Sequence, residues 1–134
     1  SSTGLTAVLA ELQELMWRDV GLLRTGAGLA MALRRIEKMR DQLGNHPSES
    51  DHRFALSMQD WFDMRNALLA AETIVRGALY RTESRGAHQR DDYPRTDPGQ
   101  AKNLVTWIEN GEVRVQSVPL VKMPFELISI ATIA

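Results

Sequence analysis

Between Arg81 and Asp97 the chain gathers the residue types that could do chemistry. Arg81, Arg85, Arg90 and Arg95 supply four guanidinium groups without a single lysine, Glu83, Asp91, Asp92 and Asp97 are threaded among them, and His88 sits in the middle. Guanidinium groups pair with carboxylates through planar, two-pronged hydrogen bonds, so this composition suits fixed geometry better than a freely solvated charge run. Two kinds of chemistry are open to it. Arg85, His88 and Arg90 could hold a dicarboxylate, with the histidine poised as an acid. Alternatively, the cluster is an internal ion-pair network at a helix end, where cations also match the helix dipole. On charge chemistry alone the structural network is the favoured reading, because such networks are common without catalysis.

Other candidate sites are weaker. His46 and His52 flank a polar stretch containing Asp51, but they lack the ligand spacing of known metal sites, so a solvated loop is expected. Gly26-Ala27-Gly28 is followed by Leu29, Ala30 and Met31, which omits the third glycine of a dinucleotide fingerprint; a turn between helices is expected there. No phosphate-cradling Gly-Lys-Ser loop and no Gly-x-Ser-x-Gly elbow occurs. The chain has no cysteine, which excludes disulfides, thiolate metal sites and cysteine nucleophiles. Trp17, Trp61 and Trp107 read as core or interface anchors, since no basic groove accompanies them as nucleic-acid stacking would require.

The elements that must position the charged segment are mostly helical. Leu5, Val8, Leu9, Leu12, Leu15 and Met16 recur at three- and four-residue steps, which predicts a helix opening at Thr3 or Thr6 and closing between Asp19 and Arg24. A second stripe runs Leu29, Leu33, Ile36, Met39, Leu43 and stops at Gly44-Asn45. Asp51 is the expected N-cap of a third, longer helix whose stripe runs Phe54, Met58, Trp61, Arg65, Leu68, Glu72, Val75 and Leu79, widened by Phe62, Leu69 and Ile74. Glu72 and Arg76, four apart, are expected to support it from its outer side. Three such helices joined by short connections predict an antiparallel bundle over about residues 4–85.

A charged loop is expected over 86–103 and a β extension over 104–134. Leu104–Glu109 and Glu112–Gln116 flank Asn110-Gly111, which predicts a hairpin with a type I′ turn, Ile108 opposite Val113 and Trp107 opposite Arg114; the second pair is a candidate cation–π contact. Such a hairpin is marginal alone, so it is expected to pack on the bundle or on another domain.

With 134 residues the chain has room for one ordinary domain, and a net charge of −1 gives no general attraction to nucleic acid or to an anionic membrane. No signal-peptide pattern and no apolar run long enough to span a bilayer is present, which predicts a cytoplasmic protein without direct membrane insertion. The first residue is Ser1 rather than methionine, consistent with a processed protein or a piece of a longer one.

The sequence Thr82-Glu83-Ser84-Arg85-Gly86-Ala87-His88, continuing through Arg90-Asp91-Asp92-Tyr93-Pro94, resembles the C-terminal signature of the succinate dehydrogenase/fumarate reductase flavoprotein family. Arg65-Asn66-Ala67-Leu68-Leu69-Ala70-Ala71-Glu72 resembles that family's long third helix, and Leu15-Met16-Trp17 with Val20-Gly21 and Arg24 resembles the end of its first. The resemblance implies a three-helix, spectrin-repeat-like bundle with a β extension, cut from a flavoprotein in which FAD and the dicarboxylate are bound by preceding domains that this chain lacks. It carries over no catalytic, cofactor-binding or metal-binding residue. It implies instead that Glu83, Arg85, Gly86, His88, Arg90, Asp92 and Tyr93 form a docking and structural motif, with the flavin-binding domain of the same chain as partner. It further implies a second partner, an iron–sulfur subunit, and a peripheral position at the inner face of a membrane. Two departures stand out. After Pro94 many family members continue with an Asn-Trp pair, whereas here the tryptophan is displaced to Trp107. L-aspartate oxidases share the architecture and much of the Glu-Ser-Arg-Gly motif, which leaves that enzyme, or a free-standing helical interaction module, as the alternatives.

Overall fold

A computed structural model describes residues 2–47 and 58–131. The expected N-cap Asp51, together with His52 and Phe54, lies outside the described residues. The elements run α1 (Ser2–Val20), β1 (Leu23–Arg24), α2 (Gly26–Leu43), α3 (Met58–Tyr80), β2 (Gln89–Arg90), a one-turn 3₁₀ helix (Pro98–Gln100), β3 (Lys102–Glu109), β4 (Glu112–Pro119) and α4 (Phe125–Ala131).

The core lies where the three long helices meet. Leu12, Leu15 and Val20 of α1 pack with Leu29, Ala32, Ile36 and Met39 of α2 and with Met64, Leu68, Ala71, Val75 and Ala78 of α3. The apolar periodicity therefore does what it predicts: each helix turns its stripe inward. The alanines are not among the expected core residues, yet Ala32, Ala71 and Ala78 are buried, because small side chains let neighbouring backbones come close. Phe62 and Ile74, expected to widen the stripe, are instead exposed, as are Met58 and Arg65. Trp61 is buried, and its indole N–H donates to the Leu43 carbonyl at the end of α2, at 3.3 Å.

Both ends of α2 are closed by the residues that flank it. Thr25 is the N-cap, its hydroxyl accepting from the Gly28 amide at 3.0 Å. Gly44 ends the helix with φ 74°, its amide donating to the Arg40 carbonyl.

Glu72 overturns one expectation. It does not lie on the outer side of α3 but is buried, with Arg40 donating to one carboxylate oxygen and Arg76 to the other. Arg76 reaches on to Glu37 at 2.8 Å, so the network ties α2 to α3. A carboxylate can occupy such a position only with both oxygens satisfied.

The hairpin forms in the expected register, with Ile108 opposite Val113 and Trp107 opposite Arg114. Asn110 (φ 52°) and Gly111 (φ 78°) make the turn with two positive backbone angles, as a type I′ turn requires. Arg114 extends toward Glu112 and Glu109. The hairpin packs on α3 through β4, where Val113 is buried. Beyond it the chain is not extended to the end, since Phe125–Ala131 is helical.

Candidate functional site

The charged segment begins where α3 stops. The last carbonyls of a helix lack intrahelical donors, and here Arg90 supplies them: its Nη1 donates to the Ala78 carbonyl at 3.2 Å and to that of Arg81 at 3.3 Å. The other edge of the same guanidinium grips Asp92 in a two-pronged pair, at 2.7 Å from Nε and 2.6 Å from Nη2. Asp92 in turn accepts from the Gly26 amide at 2.9 Å, at the N-terminus of α2, where a negative charge is favoured. The pair with Arg90 and the Gly26 amide together hold the Asp92 carboxyl far below its ordinary range. Tyr93 lies over the Arg90 guanidinium, 4.9 Å from ring centre to Cζ, so Arg90 is enclosed on every side and is 4% exposed.

Glu83 is the second centre. It is wholly buried and accepts from Arg85 (2.9 and 3.2 Å), from Arg81 (2.6 Å) and from the Asp97 amide (2.7 Å). The Arg85 guanidinium above all, then the Asp97 amide and Arg81, hold its pKa at about 2 against the cost of burial. Arg81 also donates to the carbonyls of Gln100 and Lys102, and Arg85 to that of Asp97. Ser84 links the two centres: its Oγ accepts from the Arg90 amide at 2.9 Å and donates to the Tyr93 carbonyl at 2.8 Å.

Gly86 serves the backbone. Arg85 and His88 exchange amide–carbonyl bonds of 2.8 and 3.0 Å around Gly86-Ala87. Gly86 has φ 57° and Ala87 is not among the residues of positive φ. That is the sign pattern of a type II′ turn, in which glycine is wanted at the first central position.

His88 closes the network across the molecule. Its Nδ1 is 3.0 Å from Arg24 Nη1, and its Nε2 is 3.1 Å from the Arg81 carbonyl. An arginine only donates, so Nδ1 carries the lone pair and Nε2 the proton. Burial, and then the charges of Arg24, Arg90 and Arg81, lower its pKa, while the Arg81 carbonyl opposes them. The neutral imidazole is thereby favoured, and in that form it bridges Arg24 and the Arg81 carbonyl. Beside it β1 and β2 pair in parallel, Leu23 with Gln89 and Arg24 with Arg90, and the Asp91 amide donates to the Arg24 carbonyl at 2.9 Å.

All seven residues of the expected motif thus fall in one network, and the structure adds Arg24, Gly26, Arg81, Ser84 and Asp97. The signal for Gly26 is present in the sequence, but its spacing suggests only a turn. A Cβ there would meet Asp92 Oδ2 at 2.8 Å and Arg90 Nη2 at 3.0 Å, so the glycine allows close approach rather than merely separating helices.

Chemically, the network is closed. Among the described residues no buried side-chain nitrogen or oxygen lacks a hydrogen-bond partner. Arg85, His88 and Arg90 do not converge on a common space, because each directs its donors to Glu83, the Arg81 carbonyl or Asp92. An open cleft of about 630 Å³ lies elsewhere, between α2, α3 and the hairpin tip. Its four arginines, including Arg65 and Arg114, face four acids, Glu37, Asp41, Glu72 and Glu112, so it offers no net field for an anion. At the glycine-bearing N-terminus of α2 the Gly26 and Gly28 amides already serve Asp92 and Thr25. No group of three or more metal-ligating side chains occurs among the described residues, where His46 is exposed. No helix among them is long and apolar enough to cross a membrane.

The family described as fumarate reductase flavoprotein C-term matches residues 9–130. The chain is 35% identical over 95 residues to one of the subunits of the fumarate reductase (CoM/CoB) of Methanothermobacter marburgensis, covering 71% of this chain and 17% of that protein. It is 36% identical over 96 residues to the L-aspartate oxidase of Acinetobacter baylyi, covering 72% of this chain and 17% of that one. Among solved structures, Mycobacterium smegmatis Sdh1 in complex with UQ1 superposes with a TM-score of 0.73 at 34% identity, over 96% of this chain and 22% of that one. The chain belongs to the C-terminal family of the succinate dehydrogenase and fumarate reductase flavoproteins, and it spans 17% of the length of the curated relatives it matches.

Proposed function

We propose that this chain is the non-catalytic assembly domain of an FAD-dependent flavoprotein that interconverts succinate and fumarate by hydride transfer to or from the flavin. In this role the segment from Arg81 to Asp97 is a clasp: it fixes the end of α3 against the α1–α2 junction and shapes the surface on which the flavin-binding domain docks. FAD, the dicarboxylate site and the contacts to an iron–sulfur subunit belong to the rest of that flavoprotein. The single observation that supports this reading best is the buried polar network, in which Glu83 and Arg90 find their partners within the chain, in a member of a flavoprotein family. The experiment is to remove one strand of the clasp in the polypeptide that joins this chain to its flavin-binding part. Arg85→Ala, which takes two donors from Glu83, should loosen docking and lower bound FAD per protein. Unchanged flavin content together with unchanged thermal stability would reject the proposal.

A second reading has its own support. Relatives at 36–40% identity include L-aspartate oxidases, whose substrate is also a four-carbon dicarboxylate. Reduction of the bound flavin by L-aspartate and not by succinate would select that reading without disturbing the assembly role.

A further inference from the structure

The hairpin is a two-stranded sheet, so each of its strands has one edge without a neighbouring strand. The turn decides which backbone groups lie on that edge. Glu109 and Glu112 flank the two-residue turn and are therefore a hydrogen-bonded pair, and such pairs alternate along an antiparallel ladder. Asn103, Val105, Trp107 and Glu109 thus turn their N–H and C=O toward β4, whereas Lys102, Leu104, Thr106 and Ile108 turn theirs outward. One contact agrees with this alternation: the Lys102 carbonyl accepts from Arg81, outside the hairpin, at 2.7 Å. Among the described residues, no hydrogen bond from the rest of the fold reaches the backbone of Leu104, Thr106 or Ile108.

The two edges are guarded differently. Edge strands are ordinarily blunted by charges, prolines or bulges, because unpaired backbone groups invite another strand. β4 has such protection: Glu112 and Arg114 are charged, Pro119 ends it, Val113 is buried, and Ser117 hydrogen-bonds Tyr80 of α3. β3 is charged only at its ends, at Lys102 and Glu109. Between them it has no charge and no proline, and its register with β4 runs without a bulge. Val105, Trp107 and Ile108 on this strand are exposed.

We infer that β3 is an association edge and that its occupant is β3 of a second copy of this chain, paired antiparallel about a twofold axis at Thr106. The occupant follows from the symmetry of the free groups. Leu104 and Ile108 lie evenly on either side of Thr106, so a second β3 set antiparallel brings Thr106 opposite Thr106 and Leu104 opposite Ile108 in both directions. Every outward N–H and C=O of these residues then meets its complement. On the other face Val105 falls opposite Trp107, a β-branched side chain against an aromatic one, which favours pairing. Asn103 falls opposite Glu109, whose carboxylate can accept from its amide, and no like charges meet. A slip toward the start of the strand would call on the Lys102 carbonyl, which Arg81 already holds. A slip toward the turn would leave Leu104 without a partner. The two hairpins become one continuous sheet in the order β4, β3, β3, β4. Association through this edge is independent of the assembly role proposed above.

The test is sedimentation velocity of the 134-residue chain and of the flavoprotein that joins it to its flavin-binding part. Both should show a reversible monomer–dimer equilibrium with a Kd on the order of 10 μM, the weak association expected of a small interface. Thr106→Pro removes an outward N–H, which an edge strand tolerates, and should weaken association by about tenfold or more. Thr106→Lys sets like charges opposite each other on the axis and should do the same. Near-UV circular dichroism of the Thr106→Lys variant should match that of the parent. The chain has no cysteine, so Thr106→Cys supplies one thiol per copy, and a short thiol cross-linker should join two copies through it. Gln116→Cys, exposed on β4, should not be joined. A monomer at every concentration would overturn the inference. So would a dimer that both Thr106→Pro and Thr106→Lys leave intact, or equal cross-linking through Gln116→Cys. A dimer formed by the chain alone and not by the flavoprotein would also overturn it, by showing that the edge is covered in the longer protein.

Discussion

The middle of α3 and its end are held by opposite means. In the middle, Leu68 and Val75 are fully buried among leucines, an isoleucine and an alanine from α1 and α2. At the end, Arg90 satisfies the Ala78 and Arg81 carbonyls, and Glu83, Ser84 and His88 lock the chain that follows. Apolar contacts need volume and little direction, so many side chains of similar size would serve. The clasp needs each donor opposite its acceptor, because a buried charge left without its partner is strongly destabilising. Glu72 and Glu83 repeat the contrast among buried carboxylates. Glu72 staples two regular helices through half-exposed arginines, whereas Glu83 organises a stretch with almost no regular structure. Periodic structure can stop abruptly in this fold because charge pairing takes over where packing ends.

Removing one centre from each side puts this contrast under the greatest strain. Glu83→Leu strands Arg81 and Arg85 and should cost about 3–5 kcal/mol in urea unfolding. Leu68→Ala leaves a cavity and should cost about 2–5 kcal/mol, toward the lower part of that range if the neighbouring alanines close in. Hydrogen exchange separates them further: the first should expose amides of residues 81–97 selectively, and the second should raise exchange throughout the bundle. If Glu83→Leu proves harmless, the clasp is not structural.

A pair of glycines gives a finer contrast. Gly86→Ala forces a Cβ onto φ 57° and should destabilise by about 1–2 kcal/mol. Gly77→Ala, inside α3 with nothing within 4 Å of the added methyl, should stabilise by about 0.4–1 kcal/mol. Equal signs in thermal melts would contradict the assignment of one glycine to a turn and the other to a helix interior.

The smallest effect expected is a dependence on pH. His88 has its pKa lowered in the fold from an ordinary 6.5. Its shell is cationic on each side, Arg24 from β1, Arg81 beyond α3 and Arg90 from β2. Above pH 6.5 both folded and unfolded chains carry it neutral, and its contribution to stability is complete. As pH falls below 6.5 the unfolded chain takes up a proton that the folded chain resists, so stability declines until the folded pKa is passed. Glu83 acts lower: its contribution is complete above the ordinary carboxylate value of 4.5 and is lost toward about 2. Unfolding measured between pH 7 and 5 should therefore show a slope that His88→Gln flattens, whereas the contribution of Glu83 falls mainly below that window.

Much of the fold is legible in the amino-acid order, and the rest is hidden for identifiable reasons. Leucines at helical spacing and Asn110-Gly111 report on neighbours a few residues away, so three helices and the hairpin register can be read directly. The parallel pairing of Leu23-Arg24 with Gln89-Arg90 joins residues far apart through backbone bonds that leave no periodic trace. Glu72 looks like an outer-face partner of Arg76 because the four-residue spacing is real; what places it inside is Arg40 from another helix. Arg85, His88 and Arg90 look able to converge on a ligand, and only the positions of Glu83, Asp92 and the Arg81 carbonyl show where their donors go. Periodicity also overreaches at Phe62 and Ile74, whose spacing fits the stripe but which the bundle leaves exposed.

In the proposed reading the charges between Arg81 and Asp97 hold the fold rather than a ligand, and NMR of the guanidinium N–H signals of Arg81, Arg85 and Arg90 during titration with succinate tests this most directly. Donors already engaged inside the chain should give slowly exchanging, resolved signals before any addition, and no saturable shift afterwards. Broad, rapidly exchanging signals that sharpen and move to saturation as succinate is added would contradict it.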